Sequence, residues 1–384
     1  MMATLFDPVS LRRTLHQYPE LSNHEAQSAR TLAAQLRAFG FTPHTEIGGH
    51  GIVVEIAGKA AGPTTLLRAD FDALPIHERT QCAHASNHEG VMHACGHDGH
   101  ATALLMVAHT LAQQPPQQGK VLLVFQPAEE TGEGAARMCA DPCLATQEID
   151  HVYAFHNLPG FAQHHIVVRS GTFACASTGV AIHLRGKTSH AAYPERGISP
   201  ASAMTEVMTA LMQLPEQHHP AFSLVTLVHA QLGEPAFGVS PGDATVMATL
   251  RSDDNATFHA MKASLTTTIN AIAQHAGLEV SIAWHEPFIA AYNHPDHYAH
   301  VVDATQTLGL SVQTLTEPMR WSEDVAEFLA RWPGALFGIG SGEHHPQLHN
   351  PDYDFPDAIL STAHDLFCAL VTRHHGMAAP SAPQ

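Results

Sequence analysis

The sequence predicts an α/β protein. A mostly parallel sheet covered by helices is expected from two separated chain segments, with a smaller α+β module of ferredoxin-like order set between them. Three observations carry this expectation. Helix and strand signals alternate through the first part of the chain, the pattern of a parallel sheet with helices on both faces. Near Ser177 the texture changes to strand, helix, strand, strand, helix, strand over roughly 105 residues, enough for a small domain of its own. After Tyr298 the first texture returns. The implied boundaries are 1–178 and 287–384 for the two-segment domain and 179–286 for the inserted one.

Taken in order, Val9, Leu11 and Leu15 mark an amphipathic helix, and 25–39 a second, with Leu32 and Leu36 recurring one turn apart. A strand is expected at 51–56, then an apolar strand at 64–67 that ends in Arg68-Ala69-Asp70-Phe71-Asp72. Beyond a His-rich loop, 101–111 reads as a helix. A Pro/Gln linker leads to a strand at 120–125 that ends in Gln126-Pro127-Ala128-Glu129-Glu130. In the inserted module, strands are expected at 179–184, 222–230, 244–252 and 278–284, and helices at 199–214 and 255–275. The last strand signal, 336–340, precedes His344-His345-Pro346-Gln347-Leu348-His349.

Composition excludes some functions. The chain has 384 residues, 45% hydrophobic and 14% charged, which is ordinary globular material. Its formal charge of −18, with only 18 Lys and Arg together, argues against a nucleic-acid partner, because phosphate recognition needs clustered cations. The N-terminus lacks a basic start and apolar core, and no segment approaches the ~18 to 20 uninterrupted apolar residues of a membrane span. A cytoplasmic protein with no membrane partner is expected. Cys82, Cys95, Cys139, Cys143, Cys175 and Cys368 show no framework spacing, and Cys139-Ala-Asp-Pro-Cys143 lacks the second half of a zinc knuckle.

The densest chemistry lies in His93-Ala-Cys95-Gly-His97-Asp98-Gly-His100. Cys95 and His97, two residues apart, can point the same way from an extended segment and grip one cation. With 32 His in the chain, a turn that is His-rich by composition is the competing reading. The ends of parallel strands are where ligand sites form, and Asp70, Asp72, Glu129 and Glu130 all sit there. Together with His156 and His349 these groups suffice for a pair of ions. A water between two ions loses its proton readily and then needs a base to accept it. Adjacent glutamates on extended backbone point apart, so one can bind metal while the other handles that proton. Glu130 is assigned to metal and Glu129 to general acid/base work, with the reverse as the alternative.

Seven motifs, in order from about residue 10 to 370, resemble a known family. They are Leu15-His16-Gln17-Tyr18-Pro19-Glu20-Leu21-Ser22, Arg68 to Ile76, His93 to His100, Phe125 to Glu130, His156-Asn157-Leu158-Pro159-Gly160, Lys187-Thr188-Ser189-His190-Ala191-Ala192-Tyr193-Pro194, and His349-Asn350-Pro351-Asp352-Tyr353-Asp354-Phe355. The set is similar to that of the metal-dependent amidohydrolases that include hippurate hydrolase, plant auxin-amino-acid conjugate hydrolases and bacterial N-acyl-amino-acid deacylases, relatives of aminoacylase and glutamate carboxypeptidase. The resemblance implies two divalent ions (Zn, Mn, Co or Ni) held by Cys95, His97, Glu130, His156 and His349, with the Cys95 thiolate between them. It implies Asp72 as the carboxylate that orients a ligand imidazole and Glu129 as the catalytic glutamate. The inserted domain resembles a lid and dimerisation domain, implying a homodimer. There His190 matches a histidine that stabilises the oxyanion, often from the partner subunit, and Arg251 an arginine that clamps the substrate α-carboxylate.

The chain departs from the family at Gly238-Val239-Ser240-Pro241, where Asn-Val-Ile-Pro is common. A changed substrate preference, or weak activity on simple N-acyl amino acids, is the expected consequence. The substrate implied is an N-acyl amino acid or a dipeptide, so the rival within enzymes is a metallo-carboxypeptidase or dipeptidase. A non-catalytic binding protein on the same fold is disfavoured, since every ligand position, Glu129 and His190 are present. Gly186-Lys187-Thr188 is no P-loop, because its first glycine position falls on Ala181 inside a strand signal. No His-Glu-x-x-His occurs.

Overall fold

The structure is a computed structural model that describes residues 6–218 and 220–377. Backbone contacts divide the chain into two compact units. One comprises Met1–Phe173, Ala291–Glu317 and Asp324–Gln384, and the other Ala174–Ala290 with Pro318–Glu323. The second unit is wider at both ends than 179–286. It also takes in a short return segment that no periodic pattern marks, because Pro318–Glu323 forms neither helix nor strand beyond an isolated bridge between Ala174 and Met319.

In the first unit an eight-stranded sheet runs in the order His44–Ile47, Gly51–Ala57, Gln118–Gln126, Ala60–Asp70, His151–Pro159, Gly334–Gly342, Ile166–Val168, Val312–Thr314. Its four central strands, from Gln118–Gln126 to Gly334–Gly342, are mutually parallel. Gly51–Ala57 and Ile166–Val168 pair antiparallel on either side of them. Continuous apolar runs such as Leu66-Leu67 and Val121-Leu122-Leu123 are wholly buried, as central parallel strands covered on both faces must be. Helices Pro8–Gln17, Ala26–Ala38, His97–Gln113 and Leu360–His375 supply the rest of this core through residues such as Leu32, Leu104 and Phe367. Several elements run longer than their sequence signals. The strand expected at 64–67 spans Ala60–Asp70, and the helix expected at 101–111 begins at His97.

The second unit carries an antiparallel sheet in the order Ser223–Leu232, Asp243–Ser252, Ala176–Arg185, Glu279–Phe288. Ala244, Val246, Ala248 and Leu250 alternate inward on one strand. They pack with helix residues Val207, Leu211, Met261, Leu265 and Ile269. The Asp254 carboxylate accepts from the Thr257 amide at 2.7 Å and starts the helix Asn255–His275. Ile269 is fully buried in this small core. Ile269→Ala is expected to cost about 2–5 kcal/mol in urea unfolding, and a loss below that range would mean the helix is not held by this face.

Candidate metal centre

Because the four central strands are parallel, their carboxyl ends open at one edge of the sheet, and the ligand-type residues follow from them. Asp70 ends one strand, with Asp72 two residues on. Glu129 and Glu130 follow Gln126, His156 lies late in His151–Pro159, and His349 follows Gly342. Between these ends the chain delivers Cys95 and His97.

Cys95 and His97 do not sit on an extended segment, which corrects the sequence expectation. Gly96 turns the backbone through a left-handed conformation (φ +90°) and His97 opens the helix His97–Gln113. Glycine is required there for a second reason. A Cβ on Gly96 would lie 2.7 Å from Asn157 Oδ1 and 2.8 Å from the Tyr353 hydroxyl. The turn places one ligand atom from each of Cys95, His97 and His156 within 4.8 Å of the others. Cys95 belongs also to a second such group, with Glu130 and His349. The Cys95 Sγ–His156 Nε2 distance is 3.4 Å, and His349 Nε2 lies 3.7 Å from Glu130 Oε2.

These atoms suit divalent cations. His97 Nε2 and Glu130 Oε1 are buried with no hydrogen-bond partner, although each is a strong polar group whose burial unpaired is costly. Burial, followed by the nearby charge of Glu130, holds the Cys95 thiol well above its usual range. Burial, together with Asp72 and Asp70, pushes the Glu130 carboxyl up to about 8 despite His97. Both shifts express a shortage of positive charge, which a cation would reverse. A soft thiolate beside imidazoles and a carboxylate is a donor set for borderline transition metals.

Asp72 is fully buried and ties three segments to this place. One oxygen lies 3.1 Å from His97 Nδ1, while the other accepts from the Ser22 hydroxyl at 2.7 Å and the Glu130 amide at 3.1 Å. His97 Nε2 is thereby left free to face the pocket. Glu129, 3% exposed, accepts the Asp324 amide on Oε1 at 3.2 Å, and its Oε2 lies 4.0 Å from His97 Nε2. The residue before it, Ala128, holds a positive φ of 51°, fixed by its amide donating to Glu25 Oε1 at 2.8 Å. His349 is likewise held at φ 62°. Non-glycine residues in this region cost about 1–3 kcal/mol and persist where surrounding structure over-determines them.

Two buried guanidinium groups underlie the pocket. Arg68 pairs with Asp70, contacts Gln126 Oε1 at 2.7 Å and reaches Asp324 Oδ1 at 2.8 Å. Asp70 in turn lies 2.6 Å from His100 Nδ1, and His100 Nε2 meets Asn157 Oδ1 at 2.5 Å. Arg12 donates to Asp98 at 3.1 Å, Asp354 at 2.6 Å and Asp357 at 2.8 Å. His16 Nδ1 joins Asp98 at 2.9 Å. Asp98 and His100 are thus both engaged by protein groups.

The structure thus brings Cys95, His97, Glu130, His156, His349, Glu129 and Asp72 together. His190 and Arg251 belong to the second unit. His190 is exposed on a two-residue strand paired with Val239–Ser240, and its Nδ1 accepts from the Ala192 amide at 3.0 Å. The adjoining Gly238 accepts from the Ala191 amide on its carbonyl at 3.0 Å, and a Cβ there would meet nothing within 4 Å. The departure from Asn at this position is therefore not forced by crowding. Arg251 donates to the carbonyl of Arg320 at 2.9 Å in the return segment, and burial lowers its guanidinium from the ordinary value. Sequence reasoning missed Asp324, Ser22 and Glu25. Each lies far along the chain from the group it holds; Ser22 closes the first motif, but nothing in that motif points to Asp72, and no local pattern points to Asp324 or Glu25.

The model of peptidase family M20/M25/M40 matches residues 66–373 of the chain. The N-acetyl-L-cysteine deacetylase of Bacillus subtilis is 32% identical over 362 residues, covering 94% of this chain and 86% of the relative. The hippurate hydrolase of Campylobacter jejuni is 29% identical over 367 residues, covering 95% of each. Among solved structures, a Bacillus subtilis dinuclear metal binding peptidase from the M20 family superposes with a TM-score of 0.81 at 25% identity, over 95% of this chain and 97% of that one.

The Asp98 pairing gives a pH signature. Burial opposes charge on His16, but Asp98 and Glu78 outweigh it and raise the imidazole to about 10. A raised folded-state value means that the pairing stabilises fully below the unfolded value of about 6.5 and fades as pH climbs towards 10. His16→Asn is expected to remove that alkaline decline. If wild type and variant lose stability in parallel over this window in urea titrations, His16 is not charged in the fold.

Proposed function

The chain belongs to peptidase family M20/M25/M40 and is a metal-dependent amidohydrolase, and from that premise we propose that it hydrolyses N-acyl amino acids to a carboxylate and a free amino acid. One observation carries the reading: Cys95 is common to two ligand groups, one buried and one reaching the surface through His349, with the buried Glu129 beside them. Cys95, His97, Glu130, His156 and His349 would hold two ions, with the thiolate shared. Zinc, cobalt or nickel suits that set, and the imidazoles and carboxylate also accept manganese. Bound there, the ions supply the charge that acidifies a water and polarises an amide carbonyl.

The remaining steps fall to the chain's own groups. Glu129 takes the proton of the attacking water and returns it to the leaving amine, a role supported by its burial and its distance of 4.0 Å from His97 Nε2. Asp72 keeps His97 in the orientation and tautomer that presents Nε2. His190 stabilises the oxyanion and Arg251 clamps the α-carboxylate, whose two oxygens match the guanidinium fork. The second unit acts as the lid that brings these two groups to the substrate and as the surface of a homodimer. The protein works in the cytoplasm on small molecules. Among the described residues, no helix is long and apolar enough to cross a membrane.

A panel of N-acetyl, N-benzoyl, N-indoleacetyl and dipeptide substrates, assayed with zinc, manganese and cobalt, tests the substrate class. Turnover confined to dipeptides would replace this reading with a dipeptidase or metallo-carboxypeptidase. Glu129→Gln is expected to keep its ions and lower kcat by about 10²–10⁴-fold, whereas Cys95→Ala loses ions and activity together. Near-normal turnover in Glu129→Gln would transfer the proton role to another group. Mixing His190→Ala subunits with Glu129→Gln subunits restores activity if His190 acts across the dimer. Failure to restore it removes the action in trans.

A further inference from the structure

The motif Leu15 to Ser22 supplies no group to the reaction, yet the segment 22–25, where it ends, reaches the metal centre at two points. The Ser22 hydroxyl donates to Asp72 at 2.7 Å. Glu25 Oε1 accepts the Ala128 amide at 2.8 Å, across 103 positions of sequence. Ala128 immediately precedes Glu129.

Glu25 is kept in this place at a cost. It is fully buried, and its Oε2 has no hydrogen-bond partner among the described residues. Burial, with the nearby charge of Asp72, pushes its carboxyl up to about 7 against the pull of the Asn23 and Ala128 amides. Local turn closure is the rival account, because Oε1 also accepts the Asn23 amide at 2.9 Å. An exposed side chain would close that turn without the penalty of burial. Only the bond to Ala128 requires the carboxyl to be inside.

That bond secures a strained residue. Ala128 is fully buried at φ +51°, a conformation that costs a non-glycine residue about 1–3 kcal/mol unless its surroundings impose it. Its amide is taken by Glu25, and its carbonyl accepts the Gly134 amide at 3.1 Å. One residue on, Glu129 Oε1 accepts the Asp324 amide at 3.2 Å. Glu129 is thus located from both ends, its backbone through Ala128 and its carboxylate through Asp324. Without the Glu25 oxygen the Ala128 amide is left buried and unpaired, and φ relaxes out of the left-handed region, which turns the Glu129 side chain away from its present direction.

We propose that Glu25 is a positioning residue for the hydrolysis: by accepting the Ala128 amide it holds the strained turn that aims the Glu129 carboxylate. The inference rests on Glu129 being the general base. Proton transfer between fixed groups tolerates little displacement, and a misplacement of about 1 Å costs up to about 10²-fold in rate. Asp72 and Glu25 then divide the work, one aiming an imidazole and the other the base, and both are tied to the same short segment.

The test is a double-mutant cycle in the full chain, assayed on whichever amide substrate the unaltered enzyme turns over, with metal content and Tm measured alongside. Glu25→Ala is expected to lower kcat about 10–100-fold with KM and metal content unchanged. In the Glu129→Gln background the same change is expected to cost less than about 3-fold, because a group that acts through Glu129 has nothing left to aim. Should Glu25→Ala not fold, Glu25→Asp takes its place in the cycle, since it keeps the charge but is one methylene too short to reach the Ala128 amide. Glu25→Gln keeps an acceptor oxygen at full reach and is expected to stay above Glu25→Asp in kcat, an order that a role for the charge alone would reverse. Equal fold-losses in the two backgrounds, a loss of metal in place of kcat, or Glu25→Gln as slow as Glu25→Asp overturns the proposal and leaves Glu129 as the base. Near-normal kcat in Glu129→Gln alone overturns the base assignment and this inference with it.

Discussion

The metal centre depends on one buried carboxylate. Asp72 makes no contact with bulk water, yet it reaches Ser22, His97 and the Glu130 amide, three segments that the chain brings together only after the sheet has formed. An ionised carboxylate in such a place is tolerable only when hydrogen bonds replace its hydration. Here those same bonds aim an imidazole and fix the loop of the glutamates. Stabilising Asp72 and organising the pocket are therefore one requirement.

Charge balance extends this logic outward. Asp70, Asp72, Asp98, Glu129 and Asp324 are almost completely buried, and so are Arg12 and Arg68. Each arginine meets more than one carboxylate through its planar fork, a geometry that lysine could not supply. Asp70 stays ionised well below the carboxylate range because Arg68, His97 and His100 outweigh its burial. For Glu130 and Cys95 the neighbouring His97 does not outweigh burial and the nearby acids, and both are pushed the other way.

Some of the backbone strain lies at the same edge. Ala128 and His349 adopt left-handed conformations without being glycine, and each adjoins or supplies a group of the pocket. Gly96 turns just where a side chain would strike Asn157 and Tyr353. The parallel strands behind these turns form a packed core, so the loops inherit fixed starting points and can hold unfavourable angles. The second unit, with its own apolar core, carries His190 and Arg251 on separate strands of a different sheet system.

Much was legible in the chain. Periodicity marked many of the helices and strands but gave no range for the central strand His151–Pro159 or the helices Pro295–Thr307 and Leu360–His375, while the order of elements indicated both the parallel sheet and the six-element module. Ligand-type residues after strand ends pointed to the pocket, because in a parallel sheet those ends must share one edge. Local pattern carries such information: the repeat of apolar residues tells which face is buried, and residue chemistry tells what a loop can hold. It could not tell which of 32 histidines converge. Nor could it show that Asp324 supports Glu129, that Ser22 supports Asp72, or that Pro318–Glu323 returns to the second unit. Those relations rest on non-local strand pairing and on the satisfaction of buried charge, and they exist only once the whole core has closed.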